Sequence, residues 1–222
     1  MLRRTVTALI LAQGLLFGAS ATRAAPAGTV GTPAAWATAF PVAAGGSQGL
    51  HLRAGSLDAK GQPHVLEFWR DGQGRVVRRT DGRVELRLTP SADDEDAYEV
   101  RDLKARVVYH VHRVNLFRIG IFTDRWSTQH LLDQPWGAYT LTRGTEELTG
   151  SGLCSWVRIG QGEGNALDVC WSEAYGVPLI ERRGTHELLR VQSVQRGTAM
   201  LPDSVLPDSW QEFNADEDIA PD

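Results

Sequence analysis

The feature that most narrows what this chain can fold into is a pair of cysteines set on either side of a glycine-rich turn. Leu153 to Pro178 reads LCSWVRIGQGEGNALDVCWSEAYGVP and holds both cysteines of the sequence, Cys154 and Cys170. Gly162 lies midway between them, inside Gly160-Gln161-Gly162-Glu163-Gly164. Glycine accepts the positive φ values of tight reversals, so the stretch is expected to fold back as two antiparallel strands. A symmetric register sets Cys154 opposite Cys170, Trp156 opposite Asp168 and Arg158 opposite Ala166. Side chains alternate faces along a strand, so the other face carries Leu153, Val157, Ile159, Leu167, Val169 and Trp171. One register thus brings the cysteines within bridging reach and gathers the apolar residues, and a one-residue slip spoils both. Directly opposed positions are close for relaxed disulfide geometry, which favours a slightly offset pairing.

The N-terminus agrees with a disulfide. Arg3 and Arg4 precede an apolar run from Val6 to Phe17, and small residues follow, with cleavage expected after Ala21 or Ala24. That is the pattern of a secretory signal peptide, so residues 1–24 are expected to be removed and the protein to be periplasmic or secreted. No cysteine follows the apolar run, which rules out a lipoprotein anchor there, and no later stretch is long and apolar enough to span a membrane. An oxidising compartment disfavours free thiols, and two cysteines without a nearby histidine make a poor zinc set. Roughly 200 residues remain, enough for one domain with its own core. The formal net charge of −4 supplies no basic surplus for nucleic acid.

Along the chain, residues 25–56 form an Ala/Gly/Pro-rich arm. Within it, Thr32 is the expected N-cap of a short helix with Pro33 at its first position, which puts Trp36 and Phe40 on one face. A single β-rich domain is expected over 57–213 and an acidic tail over 214–222. Strands are expected from His64, and Asp81-Gly82 reads as a two-residue hairpin turn that sets Arg78 opposite Glu85. In the strand that follows, Val84, Leu86 and Leu88 point inward and Arg83, Glu85 and Arg87 outward. Arg106 to Gly120 suits a strand in its first half and a helix in its second. Asp124 to Leu132 reads as a helix capped by Thr123 or Asp124, with Trp126 near His130. Further strands are expected over 138–142, 177–183 and 187–194. Seven or eight strands with short turns make the fold mainly β (α+β), an antiparallel sheet or half-barrel with one or two helices packed against its concave face.

Signals for chemistry are weak. His110 and His112 share a face if their segment is a strand, but no motif completes a metal set around them. The acidic run Asp93 to Asp96 and the tail Asp216-Glu217-Asp218 lack the glycine and terminal glutamate of a calcium loop, so both read as solvated charge. There is no G-x-S-x-G elbow and no phosphate-binding glycine loop, and carboxylates such as Glu181 and Glu187 are ordinary in a sheet protein. No catalytic residue, cofactor or metal is therefore assigned, although a site assembled from distant residues stays open. Seven tryptophans are many for this length. Core packing explains most of them, and Trp69, Trp126, Trp156 and Trp171 are the candidates for lining an apolar pocket.

Trp171-Ser172 with Gly176-Val177-Pro178-Leu179-Ile180, followed by a strand ending near Val194, closes an order of successive hairpins and a helical interruption after a signal peptide. That order resembles periplasmic proteins of the lipoprotein-carrier type, including the outer-membrane lipoprotein carrier and receptor and the sensors that share their half-barrel. The resemblance covers Glu67 to Phe213 and is one of pattern. The chain departs from it in the Ala/Gly/Pro-rich arm and in the internal disulfide. It implies a non-catalytic exported protein binding an apolar ligand, a lipid or acyl chain, in a sheet concavity. The alternative is an envelope protein-protein interaction or assembly factor, and an enzyme comes third.

Overall fold

The computed structural model describes residues 28–43, 49–93, 95–119, 123–162, 164, 166–197, 201–202 and 205–217. The expected signal peptide lies outside them, as do Asp94 and the end of the acidic tail. Of the described residues 53% are in strands and 10% in helices, which makes the fold mainly β. In order the elements are β1 (Thr29–Val30), α1 (Pro33–Ala39), β2 (Gly49–Leu57), β3 (Pro63–Arg70), β4 (Val76–Thr80), β5 (Val84–Thr89), β6 (Ala97–Asp102) and β7 (Val107–His112). A 3-10 helix over Arg113–Ile119 follows, then α2 (Arg125–His130), β8 (Thr140–Thr149), β9 (Gly152–Gly160), β10 (Ala166–Ser172), β11 (Val177–Arg183), β12 (His186–Gly197) and β13 (Gln211–Asn214).

All the strands belong to one open sheet of order β1-β8-β9-β10-β11-β12-β2-β3-β4-β5-β6-β7-β13. Two antiparallel meanders, β8–β12 and β2–β7, are joined by pairing of β12 with β2. The C-terminal β13 adds in parallel to β7 and stacks Phe213 on Tyr109. Pairing with β12 draws β2 into the middle of the sheet, so the expected boundary at 57 falls at the end of a strand, and β1 carries the sheet back to Thr29. Composition hid that strand, because GLHLRAGSL carries two glycines and little β-branched character.

Local signals are realised closely. Thr32 Oγ1 accepts from the Ala35 N–H at 3.1 Å, and Trp36 and Phe40 are both buried. Asp124 Oδ1 accepts from the Ser127 N–H at 2.7 Å and caps α2, which ends at Leu131 in a left-handed conformation, φ 55°. The ambiguous 106–120 stretch divides as its two halves suggest, into β7 and the 3-10 helix.

Register is where expectation and structure part. In the cysteine hairpin Cys170 faces Trp156 and Asp168 faces Arg158, two residues away from the symmetric pairing. Gly162 and Gly164 both take positive φ, 66° and 79°, inside a loop longer than a minimal turn. An even offset keeps every side chain on its expected face, and it sets Cys154 diagonal to Cys170, with Cα atoms 5.3 Å apart, where the disulfide forms. Leu153 is the exception on the apolar face, at 53% exposed near the strand start.

The Asp81-Gly82 hairpin shifts by an odd number instead. Asp81, Gly82 and Arg83 form a three-residue loop, Asp81 and Gly82 have φ of 53° and 64°, and Thr80 pairs with Val84. Arg78 therefore faces Leu86, and Arg79 takes Glu85. Val84 is exposed, whereas Glu85 and Arg87, expected in solvent, are buried in an ion-pair cluster. Asp96 likewise leaves solvent: it is buried and accepts from Arg125 Nε at 2.8 Å, tying the start of α2 to the loop before β6.

Candidate functional site

Two helical elements cover one face of the sheet. Over β8–β10, Trp36 and Phe40 of α1 pack with Tyr139, Leu141, Val157, Ile159, Val169 and Trp171. Trp126 and His130, one turn apart on α2, lie against Trp171, with the Trp126 and Trp171 rings stacked at 6.0 Å. His130 Nδ1 donates to the Gly176 carbonyl at 2.7 Å, and Arg70 donates to the Gln129 and Tyr175 carbonyls at 2.6 Å each. These bonds clamp α2 between the end of β3 and the β10–β11 turn. Burial drives the His130 pKa down to about 4, so the ring is neutral.

The adjacent stripe of α2 and its C-terminal loop face empty space. A cavity of about 620 Å³ is bounded by Ser127, Leu131 and Asp133 above and by β2, β3, β4, β11 and β12 below. Arg78 on β4 and Glu181 on β11 both border it, although β3, β2 and β12 lie between them in the sheet. The sheet therefore curves around the cavity. Its apolar wall is Leu57, Leu66, Leu131, Leu188 and Leu189, and its charged groups are Asp58, His64, Arg78, Asp133 and Glu181.

Each charged group has a distinct environment. At one end of β3, His64 Nδ1 lies 2.6 Å from Asp81 Oδ2 and Nε2 lies 3.6 Å from Asp58 Oδ2; the Asp81 hydrogen bond raises the imidazole pKa. Ser56 stands opposite His64 in register, with no hydrogen bond between them. Glu181 sits opposite Val169 and Leu189, and burial, with Asp133 adding repulsion, pushes its pKa up to about 8. Burial also raises Asp133, against the opposing pull of Arg78. Arg78 keeps accessible surface because it borders open cavity space, yet surrounding protein crowds it enough to lower its pKa. Among the described residues neither Arg78 nor Glu181 has a hydrogen bond or close ion pair.

The tryptophans singled out from sequence do not converge on this cavity. Trp126 and Trp171 meet in the filled layer beneath the helices. Trp69 stacks on His51 at 4.7 Å with Arg79 over its ring, and Trp156 packs under Arg182 and donates to Glu147. Trp156 faces away from Trp171 because adjacent residues of β10, Cys170 and Trp171, pair with Trp156 and Ser155. His110 and His112 do share a strand, and each meets a C-terminal carboxylate, Glu212 at 3.0 Å and Asp216 at 2.6 Å. No group of three or more metal-ligating side chains occurs among the described residues. No protein-family model and no curated protein matches this chain.

A second, shallower groove of about 520 Å³ runs between α1 and β8, lined mainly by Ala34, Ala35, Thr38, Ala39 and Thr142. Its one charged residue, Arg143, is held by the Thr38 carbonyl. The cavity under α2 instead carries several charged groups, among them Arg78, which has no hydrogen-bond partner among the described residues. Sequence reading missed it because Arg78, Asp133 and Glu181 come from three separate parts of the chain.

Proposed function

We propose that this chain is an exported, non-catalytic binding protein that holds a small lipid-like molecule, its acyl chain included, in the cavity between the curved sheet and α2. The observation that carries the reading is the cavity itself. Its volume of about 620 Å³ falls in the range of small-molecule sites, and five leucines from β2, β3, β12 and the α2 loop form one side of it. The aromatic layer under α1 and α2 is filled, so the leucine-lined space, rather than a tryptophan pocket, is where an acyl chain fits. A disulfide is compatible with export.

Native mass spectrometry of protein purified from its own envelope, with uptake of a fluorescent fatty acid, tests this reading. A co-purifying lipid or saturable uptake of one equivalent is expected, and Leu131→Trp, which narrows the cavity beside α2, should weaken it. Absence of both co-purification and uptake overturns the proposal.

One observation favours a second reading, an envelope assembly factor. Leu148 and Leu153 pair across the β8–β9 tip and are 79% and 53% exposed. Loss of a co-purifying envelope protein in Leu148→Ser would support that role.

A further inference from the structure

Resting on the binding role above, we infer that Arg78 makes the cavity selective for single-chain amphiphiles with an anionic head group, a carboxylate or phosphate monoester.

Arg78 has no protein partner for its donors among the described residues. A guanidinium carries five N–H donors in a planar fork that matches a carboxylate or phosphate. Among the arginines of β3 to β6, Arg70 holds carbonyls, and Arg79, Arg87 and Arg101 meet Glu85 or Glu99. Arg78 borders the cavity and bonds to no described residue. Its side chain stays exposed in the open cavity, so its donors are available to a ligand.

The surroundings set the sign of the ligand's charge. Arginine cannot lose its proton, so Arg78 is a permanent positive charge in the wall. Burial instead favours the neutral form of Glu181, whose carboxyl can donate a hydrogen bond to an anion, and it shifts Asp133 upward as well. His64 and Asp58 already engage one another and Asp81 at the end of β3. The leucines supply the other half of the site. Leu66 on β3 and Leu189 on β12 lie in the wall between Arg78 and Glu181, so a chain anchored at Arg78 has an apolar track to follow.

Calorimetric titration of the mature full-length protein at pH 7 with dodecanoate, dodecyl phosphate, dodecanol and dodecylamine tests the inference. Dodecanoate and dodecyl phosphate should bind at least about tenfold more tightly than dodecanol, as expected for a charge-assisted hydrogen bond, and dodecylamine most weakly. Arg78→Met, which keeps the stem and removes the charge, should abolish that preference, with dodecanoate binding no more tightly than dodecanol. Arg78→Lys should restore part of it. Equal dodecanoate affinity in Arg78→Met, or tighter binding of dodecylamine than of dodecanoate, overturns the head-group assignment alone. Failure of all four probes to bind the wild type overturns the binding role and this inference together. The dodecanol arm also reports that the variant's cavity is intact.

Discussion

Arg78 on β4 faces Leu86 on β5, while its neighbour Arg79 faces Glu85. The loop of Asp81, Gly82 and Arg83 decides this. One residue fewer in the loop would set Glu85 against Arg78, on the cavity face that the pairing of Arg78 with Phe68 fixes for β4. As it stands, Arg79 binds Glu85 through Nε at 2.9 Å and Nη2 at 2.7 Å, and Arg78 is left for the cavity.

Glu85 is 1% exposed and also accepts from Arg87 Nε at 2.6 Å, so one carboxylate balances two guanidinium groups. Glu85→Ala strands those charges and is expected to cost about 3–5 kcal/mol. Arg79→Ala should cost less, because Arg87 still satisfies the carboxylate. Urea midpoints at unchanged slope check the ranking.

The Cys154–Cys170 bridge joins positions separated by 16 residues. Loop closure of that size stabilises by about 3 kcal/mol in the chain-entropy model. The paired Cys154→Ala/Cys170→Ala variant should lose about that much while keeping its far-ultraviolet spectrum, since the β9–β10 hydrogen bonds and apolar face remain. Chemical denaturation of the two forms measures the difference.

Glu181 binds its proton more tightly folded, with a pKa of about 8 against 4.5 when unfolded. The native state therefore holds more protons between those values, and stability falls as pH rises through the window. Asp133 adds repulsion, Arg183 opposes it, and Arg78, His64 and Asp58 face the same cavity. Thermal midpoints from pH 6.5 to 8 should decline in the wild type and flatten in Glu181→Gln. Equal slopes would contradict the assignment.

His130 gives the opposite slope lower down. Its folded pKa of about 4 lies below its unfolded 6.5, so the unfolded chain takes up the proton first. Stability is complete above pH 6.5 and is lost as pH falls from 6.5 toward 4. Arg70, whose charge opposes protonation, and the Gly176 carbonyl, which favours it, are the polar groups in contact. His130→Gln should show a smaller acid loss over this window in a pH series of urea midpoints.

The parts of this protein that were legible in its residues are those set by neighbours in sequence. Thr32-Pro33 starts α1, Asp124 caps α2, Gly162 and Gly184 reverse hairpins, and alternation puts Val157, Ile159 and Val169 on one face. Cys154 and Cys170 share a face under any even offset, which is why the disulfide was legible although its register was not.

Pairings between distant segments were not legible, because no local pattern encodes them. The glycine-bearing β2 becomes a central strand through β12 and β3, and β13 docks in parallel on β7. The candidate site belongs to this second group. Arg78 reached the cavity through the β3–β4 register and was kept from Glu85 by one loop residue, Asp133 came by the clamping of α2, and Glu181 by the bending of the sheet toward both. Sequence by itself determined a disulfide-stapled antiparallel sheet carrying short capped helices, since turn chemistry and side-chain alternation act over a few residues. Only the tertiary structure decided which charges face one another across a cavity, because register and curvature are set by the packing of the whole sheet.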